Sequence, residues 1–342
     1  MKPPLQPATD LIALDIGGAN IKAADGRGWT DVSPFPMWLK WELLRSKITS
    51  FLSHRPKKVV ATMTGEIADC FPSRKSGVTH IVNSLCAAAG DASVGIYTTE
   101  GDLLSPQQAI DNYHTAAASN WHAVARLAAS LTSTEDAVLL DIGSTTVDII
   151  PIRNGQPQPL AFDDASRLTT GELVYTGIER TPVSAILNEI LHGNVSRPVS
   201  SELFARSQDA WILLKELPEQ HSSTDTADGK PATLSAARIR LARSMLLDSE
   251  LFSMHDARFA AEQIATAQGT SITAALQKVM LRSKLKPRIF VVSGHGKQLS
   301  QQVIHDLSMD VSTIYLQDFF SSAISRSAPS HALALIARGL LA

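Results

Sequence analysis

The sequence predicts an α/β protein of two domains. Three observations carry that prediction. Apolar runs of strand length alternate with stretches of helical period, one unusual strand-and-turn signature occurs once in each half, and 342 residues exceed the roughly 100–200 of a single domain.

Taken in order, "LIALDI" reads as a buried strand, followed by "NIKAAD", "KVVATMT" and "SVGIYTT". A long helical period covers about 116–131, "AAASNWHAVARLAASL". The second half restarts with "AVLLDIG" and "TTVDIIPI" and continues with a helix near 183–192 and helical patterns near 234–248 and 256–284. It closes with "RIFVVSG" and a last helix. Between the helical patterns, "PEQHSSTDTADGKP" (218–231) is rich in turn formers and charges and reads as a long inserted loop. The domains are expected at 1–134 and 135–342, with the last helix free to pack back on the first.

Composition narrows the function. With 44% hydrophobic residues, 19% charged residues and a formal net charge of −2, the chain is neither disordered nor a general binder of nucleic acid. An anionic ligand must therefore be held locally. The start, "MKPPLQPATD", has no apolar core of a secretion signal, and no run reaches the roughly 18 apolar residues of a membrane span. Cys70 and Cys86 have no metal-ligand spacing and form no disulfide framework. A cytoplasmic protein without membrane contact is expected; oligomeric state is not readable.

The repeated signature points to chemistry. "IALDIGGANIK" and "LLDIGSTTVDI" align at the strand, the acid, the isoleucine and the glycine, so each half is expected to carry a strand–turn–strand hairpin. Glycine lets the turn approach a phosphate with its N–H groups forward. Gly17, Gly18, Asn20, Gly143, Ser144, Thr145 and Thr146 are the candidate phosphate-binding residues. An aspartate beside phosphate would repel it, so Asp15 and Asp141 make sense as ligands, direct or through water, to a Mg²⁺ that bridges phosphate oxygens. Lys22 adds a point charge. A single "DIG" is a common strand end; two copies at domain spacing favour the clamp.

On these residues the chain resembles the actin-like ATPase superfamily of sugar kinases, large heat-shock chaperones and hydantoinase or oxoprolinase subunits. The resemblance implies two ribonuclease-H-like domains facing a central cleft. "RIFVVSGHGKQLSQQVI" (288–304) fits a third element, in which Gly294 and Gly296 would pack against a nucleotide; an ordinary strand-to-helix turn is the alternative. No G-x-x-x-x-G-K-[ST] or G-x-G-x-x-G is completed, so P-loop and dinucleotide folds fit poorly.

Four longer segments narrow the resemblance: "VVATMTGEIADCFPSRKSGVTHIV" (59–82), "AASNWHAVA" (117–125), "RLTTGELVYTGIERTPV" (167–183) and "DTADGKP" (225–231). With them the chain is similar to hydantoinase-A-related proteins of tetrahydromethanopterin-linked one-carbon transfer, within which lie the archaeal methanofuran-precursor synthases. That resemblance implies a transferase joining an aminomethylfuran diphosphate to a tyramine-type phenol, with release of diphosphate. For such chemistry Asp15, Asp141, Lys22 and Glu66 are the candidate catalytic residues, Glu66 or Asp69 taking the phenol proton. Thr64, Asp69, Arg74, Lys75, Thr170 and Glu172 are candidate substrate-binding residues, while Arg167 and Arg180 are further anion partners. "TTGE" (169–172) also reads as a helix-start capping pattern. His122 and Trp121 read as packed side chains. ATP enters only under the alternatives: a small-molecule kinase, a hydantoinase- or oxoprolinase-like hydrolase, or a nucleotide sensor without turnover.

Overall fold

A run of six residues without polar alternation belongs at the centre of a sheet covered on both faces. The computed structural model, which describes residues 6–341, places β1 (Leu11–Ile16) there, buried along its whole length. The first half continues through β2 (Asn20–Ala24), β3 (Thr30–Pro34), α1 (Met37–Lys40), α2 (Leu44–Phe51), β4 (Lys58–Met63) and α3 (Arg74–Ala89). Then come β5 (Ser93–Tyr97), β6 (Leu103–Leu104), α4 (Pro106–Asp111), α5 (Tyr113–Ala116) and α6 (Asn120–Ser130). Its sheet runs β3-β2-β1-β4-β5-β6, with β2 antiparallel and β4 parallel to β1.

The second half repeats the plan. It comprises β7 (Ala137–Ile142), β8 (Val147–Arg153), β9 (Gln156–Pro157), α7 (Asp164–Thr170), β10 (Leu173–Val174), β11 (Glu189–His192), β12 (Val195–Pro198), α8 (Ser207–Leu213) and α9 (Leu234–Ser244). The chain closes with α10 (Met254–Ser283), β13 (Ile289–Gly294), α11 (Lys297–Asp306), β14 (Ser312–Tyr315), α12 (Leu316–Phe319), α13 (Ser322–Arg326) and α14 (Ala328–Ala337). Its sheet is ordered β10-β8-β7-β13-β14, with β8 antiparallel and β13 parallel to β7. Third-second-first-fourth-fifth, in both sheets, is the ribonuclease-H-like arrangement, and the fold is a pair of such halves.

Three apolar cores hold the halves. One lies under the first sheet against α2 and α3. Another joins the second sheet to α8, α9, α10 and α11 around Trp211, Phe252 and Phe290. Between the sheets, α6 and α14 contribute Trp121, Val124, Leu127 and Leu333 to a shared core with Leu11, Val60, Leu139 and Ile150. The closing helix α14 contacts β1, β2, β4 and α6. Hydroxyl caps set several helix starts: Ser73 and Ser76 form a reciprocal capping box on α3, and Ser253 with Asp256 does the same for α10.

Three segments depart from the sequence expectations. Residues 183–192 hold only a one-turn 3₁₀ helix, Val183–Ala185, and then the hairpin β11–β12. Its turn residues Gly193 (φ 56°) and Asn194 (φ 63°) both take the left-handed conformation that a tight two-residue hairpin needs. The buried Ile190 alternates with partners outside, and the Leu191 amide donates to Gln263 Oε1 of α10 at 2.8 Å. Likewise "TTGE" ends a helix instead of starting one. Asp163 caps the start of α7, and Gly171 (φ 94°) takes the left-handed position after its last turn. The long helical period also begins late, at Asn120, because Ala118 (φ 49°) breaks it.

Candidate active site

Each hairpin presents its turn in the same way. In the first, the Gly17 amide donates to Asn20 O at 3.0 Å, while Gly18 O and Ala19 O accept from the Met37 and Phe35 amides, both at 2.8 Å. In the second, Gly143 N donates to Thr146 O at 2.9 Å, Gly143 O accepts from Ile178 N, and Ser144 O accepts from the Glu179 and Arg180 amides, all three at 3.0 Å. The turn carbonyls are thus bound from outside. The amides of Gly18, Ala19, Ser144 and Thr145 have no acceptor among the described residues. Turn amides left without an acceptor while their carbonyls are tethered are of the kind that can cradle an anion. A Cβ on Gly17 would stand 2.8 Å from Asn20 O, so that turn requires glycine; at Gly18 the space is open.

The acids sit at the roots of these turns. Asp15 pairs directly with Lys22 across β1 and β2, and Lys22 Nζ lies 3.3 Å from Asp15 Oδ2. Oδ1 of Asp15 is buried without a partner. Burial pushes the Asp15 carboxyl up, and Lys22 opposes the shift. In the second hairpin the corresponding pair is Asp141 and Asp148. Asp141 reaches solvent only at its edge and is raised to about 6, first by enclosure and then by Asp148, while Lys22 and His295 pull the other way. Lys22 thus opposes the rise at an acid of each hairpin. Asp148 is neutralised by Arg167 at 2.8 Å, and the buried Arg167 guanidinium stacks 4.2 Å from the Trp121 ring.

A third wall follows β4. The Thr64 and Gly65 amides both donate to Ile16 O at 3.0 Å, which ties the segment to the first hairpin. Glu66 is fully buried, and neither carboxylate oxygen has a hydrogen-bond partner among the described residues. Burial raises its pKa to about 7; nearby Asp164 adds to the rise, while Arg74 and backbone amides near the carboxyl oppose it. Gly77 of α3 lies so close that a Cβ there would stand 2.1 Å from Glu66 O. Gly77→Ala, which in an open helix would stabilise by about 1 kcal/mol, is here expected to destabilise by about 1–3 kcal/mol through displacement of the Glu66 turn. A urea midpoint at or above that of the wild type would contradict this packing.

The other sequence candidates are dispersed. Arg74 bridges to Asp164 at 2.7 Å and so links α3 to α7. Asp69 and Lys75 are exposed beside that bridge in sequence. Glu172 is buried with its oxygens occupied: Leu160 N donates to Oε1 at 2.6 Å and the Thr170 hydroxyl to Oε2 at 2.9 Å. Thr170 and Glu172 thereby fasten the turn after α7. Ser144 and Thr145 keep their hydroxyls 3.5 Å apart in the second turn, and Thr146 and Asn20 supply turn carbonyls. Gly294 (φ 83°) and Gly296 press on Ile142, where a Cβ would meet its oxygen at 2.1 Å and its Cγ2 at 2.3 Å, so both glycines seat the end of β13 against β7. His122 is buried, with Nδ1 2.8 Å from the Tyr97 hydroxyl, and burial lowers its pKa to about 4.

Sequence reading names Arg180 as an anion partner but misses what surrounds it, His295, Glu179 and Trp38. His295 Nε2 stands 3.4 Å from Glu179 Oε1, and the Arg180 guanidinium lies 4.8 Å from the Trp38 ring. The aligned hairpins did hold one signal, since Asp148 occupies the place of Lys22 and needs a cation from elsewhere.

Comparison with known proteins shows the family. The sequence profile of the hydantoinase/oxoprolinase family matches residues 57–339. The chain belongs to that family. It is 30% identical over 328 residues to the (4-{4-[2-(γ-L-glutamylamino)ethyl]phenoxymethyl}furan-2-yl)methanamine synthase of Methanocaldococcus jannaschii, covering 95% of this chain and 96% of that one. The synthase of the same name from Methanococcus vannielii is 30% identical over 209 residues, 60% of this chain and 93% of its own. Among solved structures, the ethanolamine utilization protein EutJ of Carboxydothermus hydrogenoformans aligns over 97% of this chain and 91% of its own, with 11% identity and a TM-score of 0.46. No helix among the described residues is long and apolar enough to cross a membrane.

Proposed function

We propose that this chain is a transferase that joins an aminomethylfuran, carried as the diphosphate ester of its ring methylene, to the phenol of a tyramine-type acceptor. One observation carries the reading: each of two hairpin turns has amides free for an anion beside a buried or enclosed acid, and Lys22 pairs with one of those acids at 3.3 Å. The relatives supply the substrate class, because the product in their name contains an aryl ether between a tyramine-type phenol and a furan methylene. In the reaction the phenol oxygen forms a bond to the methylene carbon. The carbon–oxygen bond to diphosphate breaks, and the electron pair leaves with diphosphate.

Residues of the chain cover the charges this creates. Turn amides of both hairpins and Lys22 face the departing diphosphate without having to reorganise. The partnerless Asp15 Oδ1 fits one or two carboxylates sharing Mg²⁺ with phosphate oxygens, and among the described residues no cluster of three or more acids, histidines or cysteines would enclose an ion alone. Asp15 and Asp141 would hold it, and when bound it would neutralise charge gathering on the diphosphate. Glu66 accepts the phenol proton, which its position near 7 allows at neutral pH.

The sign of the Glu66 effect can be tested. Its folded pKa lies above the ordinary 4.5, so the folded chain keeps a proton that the unfolded chain releases. Stability therefore falls as pH rises from about 4.5 through about 7, and is flat above. Glu66→Gln is expected to remove the Glu66 share of that fall, leaving the share of Asp141, and to be more stable than the wild type at pH 8, while turnover drops about 10²–10⁴-fold. Wild-type turnover should rise with pH through about 7. Unchanged turnover in the variant would remove Glu66 from the chemistry.

Calorimetry with Mg²⁺ tests the wider reading. Binding of pyrophosphate, without binding of a non-hydrolysable ATP analogue, is expected. Tight binding of the nucleotide alone would turn the protein toward ATP-dependent chemistry.

A further inference from the structure

Several cations around the cleft already have a carboxylate partner. Lys22 is paired with Asp15, Arg74 with Asp164 and Arg167 with Asp148. Arg180 is not. Among the described residues no carboxylate lies within ion-pair distance of it, and its Nη1 is buried without any acceptor. The adjacent Glu179 carboxylate is turned to His295 instead, at 3.4 Å. A buried guanidinium donor without a partner is costly unless something else completes it.

The location of Arg180 indicates what completes it. Its backbone amide is fixed on Ser144 O of the second turn at 3.0 Å. Its guanidinium lies 4.8 Å from the centre of the Trp38 ring, and the residue before Trp38, Met37, is fixed through its amide on Gly18 O of the first turn at 2.8 Å. One side chain is thus rooted at one phosphate turn and stacked beside the other. A planar fork of donors in that place suits paired phosphate oxygens, whereas stacking on an aromatic ring holds the fork in plane.

We propose that Arg180, held by Trp38, forms an anion subsite that spans the two turns and takes the diphosphate of the substrate. That the anion is a diphosphate rests on the reaction proposed above; that an anion binds there rests on the surroundings of Arg180. Arg180 thereby acts as a binding residue, and Trp38 positions it from the opposite half.

Titration of the full chain with pyrophosphate in Mg²⁺ tests this directly. Arg180→Gln is expected to weaken binding about ten- to a hundredfold, as loss of charge-assisted hydrogen bonds does. Arg180→Lys should recover only part, because a point charge lacks the fork, and Trp38→Leu should weaken binding several-fold with the guanidinium still present. Melting curves separate this from a structural role: removing an unpartnered buried donor should leave the midpoint unchanged or higher. Wild-type pyrophosphate affinity in Arg180→Gln, or a loss seen only in the KM for the phenol, would overturn the subsite. If the wild type binds the ATP analogue but not pyrophosphate, and Arg180→Gln loses it, the subsite stands while the ether-forming reaction falls. If the wild type binds neither, the subsite falls as well.

Discussion

Asp141→Asn is expected to lower diphosphate release about 10²–10³-fold while leaving the fold intact, a loss of the size seen when one electrostatic group is removed from a reacting centre. Asparagine keeps the shape and removes the charge. That charge is held under strain in the wild type: Asp141 is enclosed and stands opposite Asp148 across β7 and β8, so its pKa is raised to about 6. The folded chain binds the proton more tightly than the unfolded chain. Stability is therefore lost as pH rises from the ordinary carboxylate range through about 6. The variant escapes this loss, so above pH 6 it should melt no lower than the wild type. Lower turnover with equal or greater stability is the mark of a carboxylate retained for function. Near-normal turnover with the same Mg²⁺ dependence would remove Asp141 from the clamp.

Arg240→Met is expected to cost about 3–5 kcal/mol of stability, the range for stripping one partner from a buried ion pair. Arg240 and Asp209 are almost wholly buried, and Arg240 Nε donates to Asp209 Oδ1 at 2.8 Å. Burial raises the Asp209 carboxyl against the pull of Arg240, so without the guanidinium an isolated charge or a protonated acid would be left under α8. Arg240 Nη1 also holds Asp228 at 3.0 Å, which pins the 218–231 segment. Denaturant unfolding of Arg240→Met and of the double variant with Asp209→Leu checks the cause. The double variant should recover much of the loss, because both charges are then gone. Equal instability in the two would show that the arginine acts by packing alone.

What the sequence made legible follows from how local each signal is. β1, β7 and β13 are central strands, and an uninterrupted apolar run is enough to find them. The two aspartate–glycine turns repeat, and each takes the same place in its sheet because both halves share one strand order. The 183–192 segment differs from the expected helix because apolar residues ahead of "HGN" satisfy a helical period as well as a hairpin, and only the left-handed pair at Gly193 and Asn194 decides. Thr170 and Glu172 resemble a binding turn in sequence, but Thr170 bonds back to Arg167 O within α7 and Glu172 accepts from Leu160 N, twelve residues earlier, a partner that only the fold brings in. The same holds for Arg167 on Trp121 and Arg180 on Trp38, since no spacing rule relates residues on different elements. Glu66 and Asp69 are three positions apart and looked equivalent; Gly77 packs over one of them, and the other is exposed.

The reaction itself offers the most direct measurement: purified chain, Mg²⁺, an aminomethylfuran diphosphate and γ-glutamyltyramine, with ether and diphosphate quantified together and no nucleotide added. Equal amounts of ether and diphosphate are expected, with both falling in Asp141→Asn and Glu66→Gln. Ether that forms only when ATP is supplied and consumed, or diphosphate release without ether, would contradict the proposed reaction.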